Sequence, residues 1–149
     1  MILWIDVKNR AEPAWSLKID RWYQLDEVAF AFCEALHQWN YLKDIARPEV
    51  IFLALPGASN LADFDFANGG ATSPSKFVYT LPNICASVIF QLLGHNGKIF
   101  CVTQGDSTLG FARAEAAAAA DAGHIAGVFS STPELNENRR QVIFESFIG

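Results

Sequence analysis

The residues best placed to do chemistry lie in Gln104-Gly105-Asp106-Ser107, at the end of the apolar run Ile99-Phe100-Cys101-Val102-Thr103 and just before a helix-forming stretch. A glycine-centred bend between a strand and a helix presents side chains to the helix N-terminus. Backbone N–H groups and the helix dipole favour negative charge there, so nucleophiles are readily activated at such a position. Ser107 and His124, the latter in Asp121-Ala122-Gly123-His124, are of residue types that could serve as nucleophile and base. A serine and its base must sit within about 3 Å. If 107–122 is one helix, its ends lie about 24 Å apart at 1.5 Å per residue, which keeps the two from meeting. His37 falls in a helix and His95 in a turn, and both read as surface or structural histidines. Asp106 has the residue type of a helix N-cap, and capping is the role expected of it. Cys33, Cys85 and Cys101 show no metal-ligand spacing and no CxxC; each lies in an apolar stretch, so buried thiols are expected. No metal and no cofactor is implied, since neither a GxGxxG nor a Walker pattern occurs.

These residues need elements to position them. Ile2-Leu3-Trp4-Ile5-Asp6-Val7 reads as a short strand, and the stretch onward to Leu25 carries no clear pattern. From Asp26, the apolar residues Ala29, Phe32, Cys33, Leu36 and Trp39 recur at three- and four-residue steps, the face of a helix. Val50-Ile51-Phe52-Leu53-Ala54-Leu55 is short and continuously apolar, as in a strand buried on both faces. Residues 56–75 form a long Gly-, Asn- and Ser-rich loop, of a length that is usually functional or interface-forming. Leu81-Pro82 opens a second helix with Ile84, Val88 and Leu92 on its buried stripe, and Gly94 closes it. After the turn His95-Asn96-Gly97 come a strand over 98–103, the bend, and a helix over 107–122 ended by Gly123. Residues 125–129 form another strand, and 141–147 a last one at a sheet edge. Alternating strands and helices make an α/β layer, a mostly parallel sheet with helices on both faces.

The chain has 149 residues, of which 51% are hydrophobic, so one domain over 1–149 with a substantial core is expected and disorder is not. Net charge is −5 and the basic residues are scattered, Arg139-Arg140 excepted. That argues against nucleic acid or an anionic membrane as partner. No apolar run approaches the ~20 residues of a membrane span, and Asp6 and Lys8 interrupt the apolar N-terminus too early for a secretory signal. A cytoplasmic location is expected.

From about Ala29 to Gly127 the order of features resembles the N-terminal half of β-ketoacyl synthases, enzymes of the thiolase fold. The matching pieces are the strand 50–55, the loop through Gly69-Gly70, Thr80-Leu81-Pro82-Asn83, the turn Gly94-His95-Asn96-Gly97, the strand 99–103, the elbow 104–107 and the Ala-rich helix after it. The resemblance implies a nucleophilic cysteine at the elbow, and Asp106 stands in its place. A carboxylate cannot form the thioester that condensation requires, and Cys101 lies five residues upstream inside the strand. The two histidines the family uses come from its C-terminal half, and none of His37, His95 and His124 matches their motifs. The expectation is therefore a non-catalytic subunit, similar to the chain length factors that pair with an active ketosynthase in fatty acid, polyketide or polyene biosynthesis. Those partners typically carry glutamine at the cysteine position and are full length, so Asp106 and the missing half are departures. By the same resemblance Ile99, Phe100, Cys101, Val102 and Thr103 form a dimer-interface strand. Phe77, Thr80, Leu81, Pro82 and Asn83 fall where acyl-tunnel or partner contacts occur. The partners implied are an active ketosynthase and acyl-carrier protein, or a second copy when the chain is made alone.

Gly105-Asp106-Ser107 also resembles the nucleophile block of GDSL-type esterases, with Asp121-Ala122-Gly123-His124 imitating their Asp-x-x-His block. The helix between Ser107 and His124 counts against that reading, as does the lack of the family's intervening blocks. A third reading is an α/β binding module whose small ligand would sit near the loop 56–75, at the carboxyl ends of parallel strands.

Overall fold

The computed structural model describes residues 2–39, 48–56, 82–133 and 139–148. Among them are five strands, β1 (Ile2–Asp6), β2 (Val50–Ala54), β3 (Lys98–Val102), β4 (Ala126–Pro133) and β5 (Arg139–Phe147). Three α-helices accompany them, α1 (Glu27–Trp39), α2 (Pro82–Leu93) and α3 (Thr108–Asp121). The strands form one sheet in the order β1-β5-β4-β2-β3. β2 pairs in parallel with β3 and β4, whereas β5 runs antiparallel to both β4 and β1. Four strands thus point one way and β5 alone is reversed, so the sheet is mostly parallel in direction, as expected.

Residue alternation sets the two faces of the sheet. Ile51, Leu53, Phe129, Val142 and Phe144 join the core made with α1 and α2. Val50, Phe52, Ala54, Ala126 and Val128 meet Ala112 and Ala116 of α3 on the opposite face. Every residue of β2 is buried, which is what its unbroken apolar run requires of a strand covered on both sides. Phe129 and Phe144 are cross-strand partners whose rings meet edge-on at 4.8 Å, a contact worth roughly 0.5–1.5 kcal/mol beyond its area.

The helices begin and end for local reasons. Asp26 caps α1, its Oδ1 accepting the Ala29 N–H at 2.8 Å while its carbonyl accepts Phe30 N–H at 3.0 Å. Ala29, Phe32, Cys33 and Leu36 are buried on one face as the spacing predicts, with Phe30, Ala31 and Ala35 buried beside them. On α2, Val88 and Leu92 are buried together with Cys85 and Ile89, and Ile84 is half-buried. Gly94 and Gly123 follow α2 and α3 with positive φ.

Two expectations change. The strand over 141–147 is not at an edge: β5 lies between β1 and β4, with Val142, Ile143 and Phe144 buried. β4 pairs with one side of β5, and the N-terminal strand β1 pairs with the other. The edges are β1 and β3. The unpatterned stretch before Leu25 turns out to be a turn-rich segment with a 3-10 turn at Trp22–Gln24. It places Trp15, Ile19 and Leu25 in the core, with the Trp15 indole donating to Glu34 at 2.9 Å.

Candidate functional site

The sheet edge β3 runs directly into the elbow. Its exposure pattern differs from that of β2 beside it: Lys98, Phe100 and Cys101 are exposed, Ile99 is half-buried, and Val102 is buried. The Phe100 ring stacks on Phe52 of β2 at 5.6 Å, yet stays 49% exposed. Among the described strands β3 lies at the sheet edge, and an edge strand with an exposed aromatic is an adhesive surface.

After Thr103 the chain bends through Gln104 into a 3-10 turn, Gly105–Ser107, that feeds α3. Gly105 has φ of 54°, the left-handed region that glycine adopts at no steric cost, and a Cβ there would meet nothing within 4 Å. Thr108 holds the turn from beneath. It is fully buried, and its Oγ1 accepts the Gln104 N–H and donates to the Gly105 carbonyl, both at 2.7 Å. This keystone was not singled out from the sequence, although a threonine three residues after a bend glycine is a typical side-chain-to-backbone turn signal.

Asp106 is exposed within this turn. It does not cap α3: the N-cap residue is Ser107, and no side-chain bond closes that cap. The 3-10 turn moves the helix start to Thr108, one residue past the expected position, so the Asp106 carboxylate falls outside the cap. It still lies beside the helix entry, where the dipole favours its charge.

Ser107 Oγ donates to the Gln104 carbonyl at 2.9 Å. His124 lies at the other end of α3, its Nδ1 3.4 Å from Glu49 Oε2. Serine and histidine are thus held apart by the whole helix, and an esterase dyad is not assembled. His37 is exposed, and His95 is buried with its Nε2 3.4 Å from the Lys98 carbonyl, its ring against Phe90 at 5.5 Å. None of the three histidines reaches the elbow.

The cysteines divide. Cys33 and Cys85 are buried and burial pushes both thiols well up, so neither is a reactive thiolate. Cys101 is exposed, contrary to the burial expected of it, because β3 is an edge strand. Partial desolvation still raises its thiol. Among the described residues no group of His, Cys, Asp and Glu is arranged to hold a metal ion, and no helix is long and apolar enough to cross a membrane.

Of the remaining contact candidates, Pro82 and Asn83 open α2. Phe77, Thr80 and Leu81 lie outside the described residues, as does the loop beyond Pro56.

No family model matches the sequence, and no curated protein matches it. Among solved structures, the chain is similar to one in the complex of a ketosynthase (ApeO) with its chain length factor (ApeC) from Xenorhabdus doucetiae. The TM-score is 0.65 at 14% identity, over 97% of this chain and 67% of that one. The likeness is one of fold: the five-stranded sheet with helices on both faces is shared with a chain of that complex.

Proposed function

We propose that this chain is a non-catalytic, chain-length-factor-like subunit that pairs with an active β-ketoacyl-ACP synthase in fatty acid, polyketide or polyene biosynthesis. The observation that carries the reading is the junction of β3 with α3. A strand at the edge of the described sheet leads into an elbow whose 3-10 turn, just before α3, holds Asp106, a group unable to carry an acyl thioester. The fold likeness to a chain of a ketosynthase–chain length factor complex supports it, as does the distance of every histidine from the elbow. In this reading Ile99, Phe100, Cys101, Val102 and Thr103 form the partner strand. The stretch with Phe77, Thr80, Leu81, Pro82 and Asn83 contributes to the acyl tunnel or to partner contact. Acyl-carrier protein engages the assembled pair, and no cofactor takes part.

The test has two arms. Incubation with acyl-ACP or acyl-CoA thioesters followed by intact mass measurement is expected to leave this chain unmodified, while a co-purified ketosynthase becomes acylated. A stable acyl adduct on this chain, abolished by Cys101→Ser or Asp106→Asn, would overturn the non-catalytic assignment. Failure of the chain to co-purify with any ketosynthase from its native host would remove the partner assignment.

A further inference from the structure

At the end of the sheet away from the elbow, the starts of β2 and β3 and the end of α3 enclose a groove of about 720 Å³, lined by Glu49, Phe52, His95, Lys98, Phe100 and His124 among others. That size is in the range of small-molecule sites. Phe52 and Phe100 form a stacked pair with an interplanar angle of 20°, and the outer ring is half open. Lys98 lies two residues before Phe100 on the same face of β3, since Val50 pairs with Lys98 and Phe52 with Phe100. Its ammonium makes no ion pair among the described residues. Glu49 lies beside it, just before β2, joined through the Lys98 N–H to Glu49 carbonyl bond at 3.1 Å. The carboxylate of Glu49 turns to His124 at 3.4 Å rather than to Lys98. Lys98 without an ion pair among the described residues, and Glu49 with only the long 3.4 Å contact to the exposed His124, sit at one end of a half-open aromatic surface and match a ligand carrying both signs next to a flat ring.

We propose that this groove binds a zwitterionic aromatic molecule of the aromatic α-amino acid class. Its ring lies on Phe100, its carboxylate meets Lys98 and its ammonium meets Glu49. Ring stacking supplies the apolar part of the recognition. Each exposed ion pair adds only a small increment, so binding is selective by charge pattern more than by strength. The buried His95 and the backbone-tight Gly97 fix the wall of the groove, a Cβ at Gly97 falling 2.1 Å from the Glu49 carbonyl oxygen. Phe100 is shared with the β3 edge of the ketosynthase-partner reading, so ligand and partner compete for this ring, and the titration reads the ligand site separately from that reading.

Amide-detected NMR titration of the full chain with L-phenylalanine tests it. Saturable shifts in the millimolar range are expected at residues 94–100, and at 49 and 124. The comparison ligands are 3-phenylpropionate, which lacks the ammonium, and phenethylamine, which lacks the carboxylate; each is expected to bind at least about threefold more weakly. Lys98→Gln and Glu49→Gln, both at exposed positions, are expected to erase the corresponding preference while thermal melts stay unchanged, and Phe100→Ala to abolish saturation. Absence of saturable shifts, or 3-phenylpropionate binding as well as L-phenylalanine with Glu49→Gln silent, overturns the proposal.

Discussion

Asp26 is a nearly buried carboxylate at the N-cap of α1, and burial pushes its pKa up to about 6, against the lowering effect of the Ala29 N–H and of Arg140 and Arg10 nearby. The sign of the consequence is the reverse of the usual acidic residue. The folded state holds the proton more tightly than the unfolded chain, so the Asp26 contribution to stability is largest below pH ~3.8 and falls as pH rises to about 6. The full difference is about 3 kcal/mol at 1.36 kcal/mol per pKa unit. Asparagine caps as well as aspartate, so Asp26→Asn is expected to be more stable than the parent at pH 7 and close to it near pH 4. Urea unfolding at the two pH values checks this, and a gain independent of pH would contradict it. At the same scale, the residue types at the elbow were legible in the sequence, but their geometry was not. Whether Asp106 or Ser107 caps α3 depends on one extra 3-10 turn, set by the buried Thr108 hydroxyl, and no periodicity signals that.

At the scale of elements, the helices and central strands were readable because their apolar spacing records burial. β2 is buried throughout, α1 buries Ala29, Phe32, Cys33 and Leu36, and α2 buries Val88 and Leu92 with Ile84 half-buried. The positions of strands within the sheet were not readable. Edge or interior status is a pairing property between distant segments, so the local pattern alone reads β5 as an edge and Cys101 as a buried thiol. Two expected outcomes follow. First, a thiol-reactive maleimide should label Cys101 rapidly and Cys33 and Cys85 only on unfolding. Bound ketosynthase should protect Cys101 if β3 is the partner strand, whereas unchanged labelling in the complex would exclude that strand. Second, the turn between α2 and β3 leaves no room at Gly97. An added methyl would lie 2.1 Å from the Glu49 carbonyl oxygen and 2.7 Å from the His95 ring. Gly97→Ala must displace backbone and is expected to cost about 1–3 kcal/mol, read as a lower urea midpoint.

For the whole molecule, the sheet is covered by α1 and α2 on one face and by α3 on the other, and α3 itself has nothing over it among the described residues. Thr108, Ala112, Ala116 and Ala120 face the sheet, while Gly110, Phe111, Ala114 and Ala118 are exposed, with Phe111 at 42%. A helix carrying small apolar residues on both sides suits burial on more than one side. Two separate surfaces therefore remain adhesive, the β3 edge with Phe100 and the outer face of α3 with Phe111. We predict that the chain alone is a homodimer at micromolar concentration and exchanges into a heterodimer when an active ketosynthase is co-expressed. Light scattering coupled to size-exclusion chromatography reads both states. Phe100→Glu places a charge on the β3 edge and is expected to weaken association by at least about tenfold, or ~1.4 kcal/mol. Ala114→Glu, on the exposed face of α3, tests the second surface separately. Neither substitution touches the core, so thermal melts of the two variants should match the parent. A parent chain that remains monomeric across the concentration range and ignores the ketosynthase would remove association from the account. Dimerisation lost in Ala114→Glu but retained in Phe100→Glu would move the interface from the strand edge to the helix.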